Sequence, residues 1–258
     1  MSTAIFPWRS IVVVGLLLLF FRANVTAEQL AKGDCDDPKP LTDLRHCVFW
    51  NTALSGIDLH GTLLDGVSLR GTNLAGSNLA GASLQQADLR WSDFSKCQLN
   101  DTDFSNSNLF HTTFNGATMD RAKLIKAYMF ASRLNHVRAK QADFTDAFMK
   151  DLNIANSDLS GSSFKRGYML RAVMIGSNLS GADLQNADLT GSALEKVDFT
   201  RTNLSGASLR GVTLDETIFS EAILDQADFT DATFENMDET CFQNTIKLPI
   251  HLQKMLIQ

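Results

Sequence analysis

From Leu44 to Phe234 every fifth residue is apolar, without insertion or deletion. Two residues before each of these stops sits a small or compact side chain. Ala82, Ala87, Ser92, Cys97, Thr102 and Ser107 show this in one stretch, and Ala182, Ala187, Ser192, Val197 and Thr202 in another. The residue just before the stop is often Asp or Asn, as at Asp88, Asp93, Asp103, Asp183, Asp188 and Asp198, and the two after it are Gly or polar. Two positions in five therefore point inward and three outward. A helix of 3.6 residues per turn, or a strand of period 2, would rotate the Leu and Phe set out of any core within two repeats. The chain must instead turn a corner every five residues. Four such sides close a square coil of about 20 residues, and coils stacked at about 4.8 Å let backbone groups pair above and below. The segment predicts an all-β solenoid of about ten coils.

The segments AGSNL, AGASL, QQADL, SGADL, QNADL and SGASL resemble the A-(D/N)-L-x-x unit of pentapeptide-repeat proteins. The resemblance covers residues 42–236 in one frame and implies that family's right-handed quadrilateral β-helix. It implies no enzyme, because the family has no common catalytic residues to carry over. Some acidic members imitate a DNA duplex and bind type II topoisomerases, which supplies an alternative function should this chain be retained in the cytoplasm.

The amino-terminal residues follow another pattern. Arg9 precedes an apolar run from Ile11 to Phe21, and Arg22 to Ala27 offers modest residues suited to a cut after Ala27. The run is too short for a bilayer, which takes about 20 residues of helix. Residues 1–27 are read as a secretory signal peptide, with an uncleaved membrane anchor as the alternative. The chain is then exported to periplasm, lumen or extracellular space and keeps no membrane contact after cleavage. Cleavage removes Arg9 and Arg22 from 23 basic residues and nothing from the 29 acidic ones, leaving a formal net charge of −8. An acidic surface is a poor generic ligand for nucleic acid. Residues 28–42, with Asp36, Asp37, Pro38 and Pro40, are read as an N-terminal cap, 43–236 as the β-helix, and 237–258 as a C-terminal cap. Within that last segment Leu252, Met255 and Leu256 share one face of a short helix begun by Pro249.

Cys35 and Cys47 flank the start of the first coil and can close a disulfide loop, or remain unpaired; Cys97 and Cys241 lie too far apart in the stack to bridge. His46, His60, His111, His136 and His251 are scattered, and none is expected at metal-ligand spacing with Cys or carboxylates. The glycines recur every fifth residue, as Gly56, Gly61, Gly66, Gly71, Gly76 and Gly81, to serve corners rather than phosphates. No catalytic residue, metal or cofactor is predicted.

The departures from regularity are the candidates for function. Residues one coil apart stack, so Tyr128, Phe148 and Tyr168 form one outward column, with Phe110, Phe130 and Leu170 beside it on the same side. Lys150, Arg171 and His111 border this strip, and Trp50 and Trp91 lie outward on the same side. Contiguous apolar patches mark interaction surfaces, and aromatic and Arg residues are enriched at binding hot spots. Between Asp120 and Arg171 ten cations face five acids, which predicts a basic belt around the middle coils. Three uses of the strip stand open: a ladder that only stiffens the sheet, a homodimer interface, or docking of another protein or a glycan. Inside the same region Ala139 is an unusually small stop, offset by the larger Val137, while Leu152 beside Ile154 overfills its corner, an exchange of volume rather than a ligand cavity.

Overall fold

A computed structural model describes residues 30–237 and 239–245. From Ala31 onward they belong to one compact unit. The segment 1–27 and the helix predicted around 249–256 lie outside the described residues. No helix among the described residues is long and apolar enough to cross a membrane.

The architecture is a parallel solenoid whose rungs are single bridges between successive coils, such as Asp43↔Leu63, Tyr128↔Phe148 and Asp188↔Ser208. Four short strands bound it. Strands β1 (Ala31–Lys32) and β2 (Thr42–Asp43) pair in parallel at its start. Strands β3 (Thr213–Asp215) and β4 (Thr233–Glu235) pair in parallel near its end, with Leu214 opposite Phe234.

Five residues per side suffice because four of their five amides find backbone acceptors. At Leu59, the stop amide donates to Asn78 O in the next coil, and Gly61 N, two residues on, donates to Ala80 O. Thr62 N closes the corner on Leu59 O, and Leu63 N donates backward to Thr42 O. The fifth amide, one residue after the stop, has no backbone acceptor in this scheme, and a buried or half-buried N–H left unpaired is costly. Asp and Asn before the stop supply the acceptor: Asp93 Oδ1 takes Ser95 N at 2.8 Å, and Asp198 Oδ1 takes Thr200 N at 2.8 Å. Elsewhere a carboxylate or amide at the corner of the preceding coil does the same, as Asp120 Oδ1 does for Lys140 N.

The two inward positions are sealed. The central Leu, Phe, Met and Ile side chains are almost all buried, including Phe94, Phe104, Phe114, Phe144, Phe164, Phe199 and Phe219. Rings one coil apart stack, Phe144 on Phe164 at 4.6 Å and Phe94 on Phe114 at 5.2 Å. Small hydroxyls at the other inward position donate to carbonyls of the preceding coil, as Thr102 Oγ1 does to Leu79 O at 2.8 Å. Ala139, Val137, Leu152 and Ile154 are all buried in this same interior.

Every corner but the first, at His46, places a left-handed residue two after the stop. This explains the glycine spacing: Gly76 has φ 74°, and nothing lies within 4 Å of a Cβ added there. Other corners accept side chains unbranched at Cβ at positive φ, such as Gln86, Lys96 and Asn106, but no Val, Ile or Thr.

Both ends are covered from within the described residues. At the start, β1 lies on β2, and Gly33 N donates to Asp43 O at 3.0 Å. A Cβ on Gly33 would meet Leu44 Cδ2 at 2.5 Å, so only glycine lets this segment approach the first coil. At the far end the five-residue frame stops, and the 3₁₀ turn Glu239–Phe242 carries Phe242 onto Phe219, rings stacked at 5.3 Å. Phe219 N donates to Cys241 O, replacing the missing next coil. This aromatic stopper, out of the five-residue frame, is invisible to a period of five.

Gly76→Ala is expected to lower stability by about 1–2 kcal/mol through its φ alone, since the added methyl group meets no atom. Urea unfolding followed by circular dichroism reads this as a lower midpoint at unchanged slope, with Gly76→Val lower still. An unshifted midpoint for both would contradict the corner geometry.

Candidate interaction face

The second side of the coil is defined by the stops Leu89, Leu109, Met129, Met149 and Met169. The backbone register places Tyr128, Phe148 and Tyr168 one above another. Their rings stack at 5.0 Å for Tyr128 on Phe148 and 5.0 Å for Phe148 on Tyr168. Beside them Phe110 stacks on Phe130 at 5.6 Å, and Phe110 lies parallel to Tyr128 at 6.4 Å. Leu170 continues the second column, with Lys150 set between Phe130 and Leu170 in the sequence of coils.

Stacking covers much of this surface. Tyr128 is 40% exposed, whereas Phe110, Phe130, Phe148, Tyr168 and Leu170 are half-buried. The ladder is longer than its sequence outline, because Trp91 lies flat on His111 at 4.3 Å and edge-on to Phe110 at 5.3 Å. Trp91 is 53% exposed, and Val48 and Trp50 are exposed on the same side. A corner tryptophan stacked on the histidine of the next coil is legible once the sequence is written one coil to a line.

The strip also lacks the usual corner caps. With Tyr128, Phe148 and Tyr168 in place of Asp or Asn, the amides of Phe130, Lys150 and Leu170 find no protein acceptor among the described residues. Three successive rungs of one corner thus present donors outward, next to the rings.

Most of the expected basic belt is paired in the structure. Acids of the same stretch hold Arg138, Lys140, Arg166 and Arg171, and Asp101, Asp103 and Asp183 of the neighbouring coils hold Arg121, Lys123 and Lys165. Arg121 pairs with Asp101, Arg138 with Asp120, Lys140 with Asp158 and Lys165 with Asp183. Arg166 forks onto both oxygens of Asp146 at 2.7 and 2.8 Å, and Arg171 does so on Asp151 at 2.7 and 2.8 Å. Arg171, placed at the border of the strip, is therefore committed to Asp151. Lys126, Arg133 and Lys150 form no ion pair among the described residues; Lys126 stands at the corner before the strip and Lys150 within its second column. The guanidinium beside each partner holds Asp101, Asp146 and Asp151 below the usual carboxylate range. Arg45 does so most strongly for Asp43, lowering it to about 2.

A second cluster lies at the start of the solenoid. Cys35 and Cys47 are joined by a disulfide, and Cys97 and Cys241 are not. Burial pushes the Cys97 thiol up to about 12. His46 does approach sulfur, contrary to the expectation from spacing: its Nε2 lies 3.4 Å from Cys35 Sγ and 3.7 Å from Cys47 Sγ. Pairing of β1 on β2 returns Cys35 to this corner, a contact that linear spacing does not reveal. A shallow groove lined by Asp120, Arg121, Lys140, Gln141, Ser160 and Gly161 holds no convergent acid and base without an ion-pair partner.

Comparison with known proteins bears on the fold and the family. Residues 42–124 match a family model described as pentapeptide repeat region. Residues 153–191, 168–206 and 198–236 match one described as pentapeptide repeats (8 copies). No curated protein matches the sequence significantly. Among solved structures, full-length QnrB1, a plasmid-mediated fluoroquinolone resistance protein, is 21% identical over 80% of this chain and 97% of its own, with a TM-score of 0.53. HetL, a pentapeptide repeat protein involved in heterocyst differentiation regulation in the cyanobacterium Nostoc sp., is 25% identical over 78% and 87%, with a TM-score of 0.40. A pentapeptide repeat protein of the Arabidopsis thaliana thylakoid lumen is 29% identical over 41% and 67%, with a TM-score of 0.30. The likeness to QnrB1 speaks for the fold alone.

The carboxylates held low by arginine set a pH dependence. Their folded values lie below the unfolded ones, so the stabilisation is complete above about pH 4 and fades as pH falls toward the folded values. Thermal midpoints are expected to drop as pH falls from about 4 to 2, with Asp43→Asn flattening part of that decline because Asp43 titrates near 2. An equal decline in both proteins, recorded by circular dichroism at fixed ionic strength, would exclude a contribution from the Asp43–Arg45 pair.

Proposed function

Because the chain belongs to the pentapeptide-repeat family, we propose that it is an exported, non-enzymatic scaffold that binds a protein partner through the aromatic strip of its second side. A second copy of this chain is the first candidate for that partner. The scaffold comprises about ten coils, capped by residues 28–42 and by a helix around 249–256.

The observation that carries this reading is the concentration of exposed rings on one side of an otherwise polar solenoid. Trp91, His111, Phe110, Phe130, Tyr128, Phe148 and Tyr168 are linked by ring contacts into one ladder. A ladder that only stiffened the sheet would gain nothing from leaving Trp91 and Tyr128 partly in water. Lys126 at the corner before it and Lys150 within its second column, free of ion pairs among the described residues, favour a partner surface that carries acids at its rim. A straight strip along a regular stack is also self-complementary under a two-fold axis, which suits an isologous dimer. The chain itself has acids to offer such a rim, being acidic overall.

Export is supported by the apolar run Ile11–Phe21 behind Arg9 and by the Cys35–Cys47 disulfide, a bond that persists in oxidising compartments. A DNA-mimicking, topoisomerase-binding role is the alternative for a chain kept in the cytoplasm, and the fold likeness to QnrB1 is compatible with it. The mimic requires continuous acidic columns, and between residues 121 and 171 Asp146, Asp151 and Asp158 are tied in ion pairs and the columns are interrupted by rings.

The double variant Tyr128→Ser with Phe148→Ser is expected to convert the protein from dimer to monomer in light scattering, with an unchanged circular dichroism spectrum. A variant mass equal to that of the parent would remove the strip from the interface. Export predicts a mature amino terminus at Glu28 in protein recovered outside the cytoplasm; an intact Met1 on soluble cytoplasmic protein would overturn it.

A further inference from the structure

We propose that reduction of the Cys35–Cys47 disulfide opens a metal site in which Cys35 Sγ, Cys47 Sγ and His46 Nε2 are three ligands for a zinc-class divalent cation. The three atoms lie within 4.8 Å of one another. Zinc bonds of about 2.3 Å to sulfur and about 2.1 Å to nitrogen at a tetrahedral angle require S···N edges of about 3.6 Å. The observed separations of 3.4 and 3.7 Å already match. The remaining edge is S···S, a covalent bond in the disulfide and about 3.8 Å around a tetrahedral ion. Only that edge must open.

The fold permits the opening without disturbing the coils. Cys47 is buried, and its amide closes the first corner on Leu44 O at 2.9 Å. Cys35 is half-buried in a segment that makes no backbone hydrogen bond to the coils between Gly33 and Leu41. The Cys35 side can therefore withdraw while Cys47 and His46 stay in place. The corner also departs from the rest of the solenoid. From Asn51 to Asn236 the residue two after each stop has positive φ, whereas His46, two after the first stop, does not. The imidazole is turned toward sulfur at the one corner that abandons the left-handed backbone.

The chemistry balances as follows. A thiolate of a dithiol reductant attacks the more accessible Cys35 sulfur, the S–S bond breaks, and Cys47 leaves as thiolate. The reductant's second thiol displaces Cys35 and closes the reductant's own disulfide, so two electrons and two protons pass to this chain. Metal uptake then releases the two thiol protons to solvent and takes the neutral imidazole through Nε2. Two thiolates and one imidazole favour zinc-class ions over calcium or magnesium, which prefer oxygen donors. His46 is exposed, so the fourth position faces water. The site lies in the cap, apart from the aromatic strip, and does not depend on the binding role assigned to that strip.

Cobalt(II) is the probe. The full chain, reduced by a dithiol and freed of excess reductant under argon, is titrated with cobalt chloride. One equivalent is expected to bind, giving thiolate-to-cobalt charge transfer in the near ultraviolet and the intense visible bands of tetrahedral coordination, which zinc chloride abolishes. The oxidised chain and His46→Ala are expected to give neither, whereas Cys97→Ser with Cys241→Ser leaves the bands unchanged. A second measurement needs no variant: zinc should protect Cys35 and Cys47 of the reduced parent from alkylation, read by peptide mass spectrometry. Bands from the oxidised chain, their persistence in His46→Ala, their loss in the Cys97/Cys241 variant, or full alkylation in the presence of zinc would each overturn the proposal.

Discussion

One amide in every five residues has nowhere to go, and the repeat is built around that fact. The stop amide and the corner amide donate to the next coil, the following one closes the turn, and the fourth donates to the coil before. The fifth is left to a side chain or to water. Asp or Asn before the stop reaches it within two residues, which is why the repeat favours those residues at a half-buried outward position. The apolar stop fixes what is inside; the short polar side chain next to it makes the tight corner tolerable.

That economy leaves the outward positions open to other uses. Where Tyr128, Phe148 and Tyr168 replace the capping residue, the corner amides of Phe130, Lys150 and Leu170 lose their protein acceptor, and the rings recover energy by stacking across the rungs. Both changes occur on one side and in successive coils. The same columns explain the ion pairs: Asp146 with Arg166 and Asp151 with Arg171 each join equivalent corners one coil apart, so each pair is a vertical rung of charge. Exposed pairs of this kind contribute little stability individually. Their consequence is electrostatic, since they partner most cations of the belt and leave Lys126, Arg133 and Lys150 as its unpaired ones among the described residues.

Much of the solenoid was legible because its determinants are local and repeated. The five-residue frame, the inward Leu and Phe, the corner glycines and the role of Asp and Asn all follow from spacing. Writing the chain one coil to a line brings Tyr128, Phe148 and Tyr168 together before any coordinates are consulted. What escaped reading was whatever the period does not govern. Phe242 occupies the place above Phe219 only because the chain leaves its frame after Phe234 and inserts a 3₁₀ turn. His46 meets two sulfurs because an out-of-frame strand, Ala31–Lys32, folds back onto Thr42–Asp43.

The distribution of irregularity is itself informative. A coil that needs only backbone pairing and two inward side chains per side places no demand on the remaining outward positions, so those needs alone do not call for rings left partly in water at Trp91 and Tyr128. The same reasoning applies to the cap. Covering the first coil requires Gly33 to approach Leu44 and β1 to pair with β2, and neither contact uses an imidazole. His46 nevertheless gives up the left-handed corner kept by every other coil turn described and points between two sulfurs. Where a repeat departs from its own geometry without gaining packing, the departure is best read as chemistry that the periodic frame could not supply.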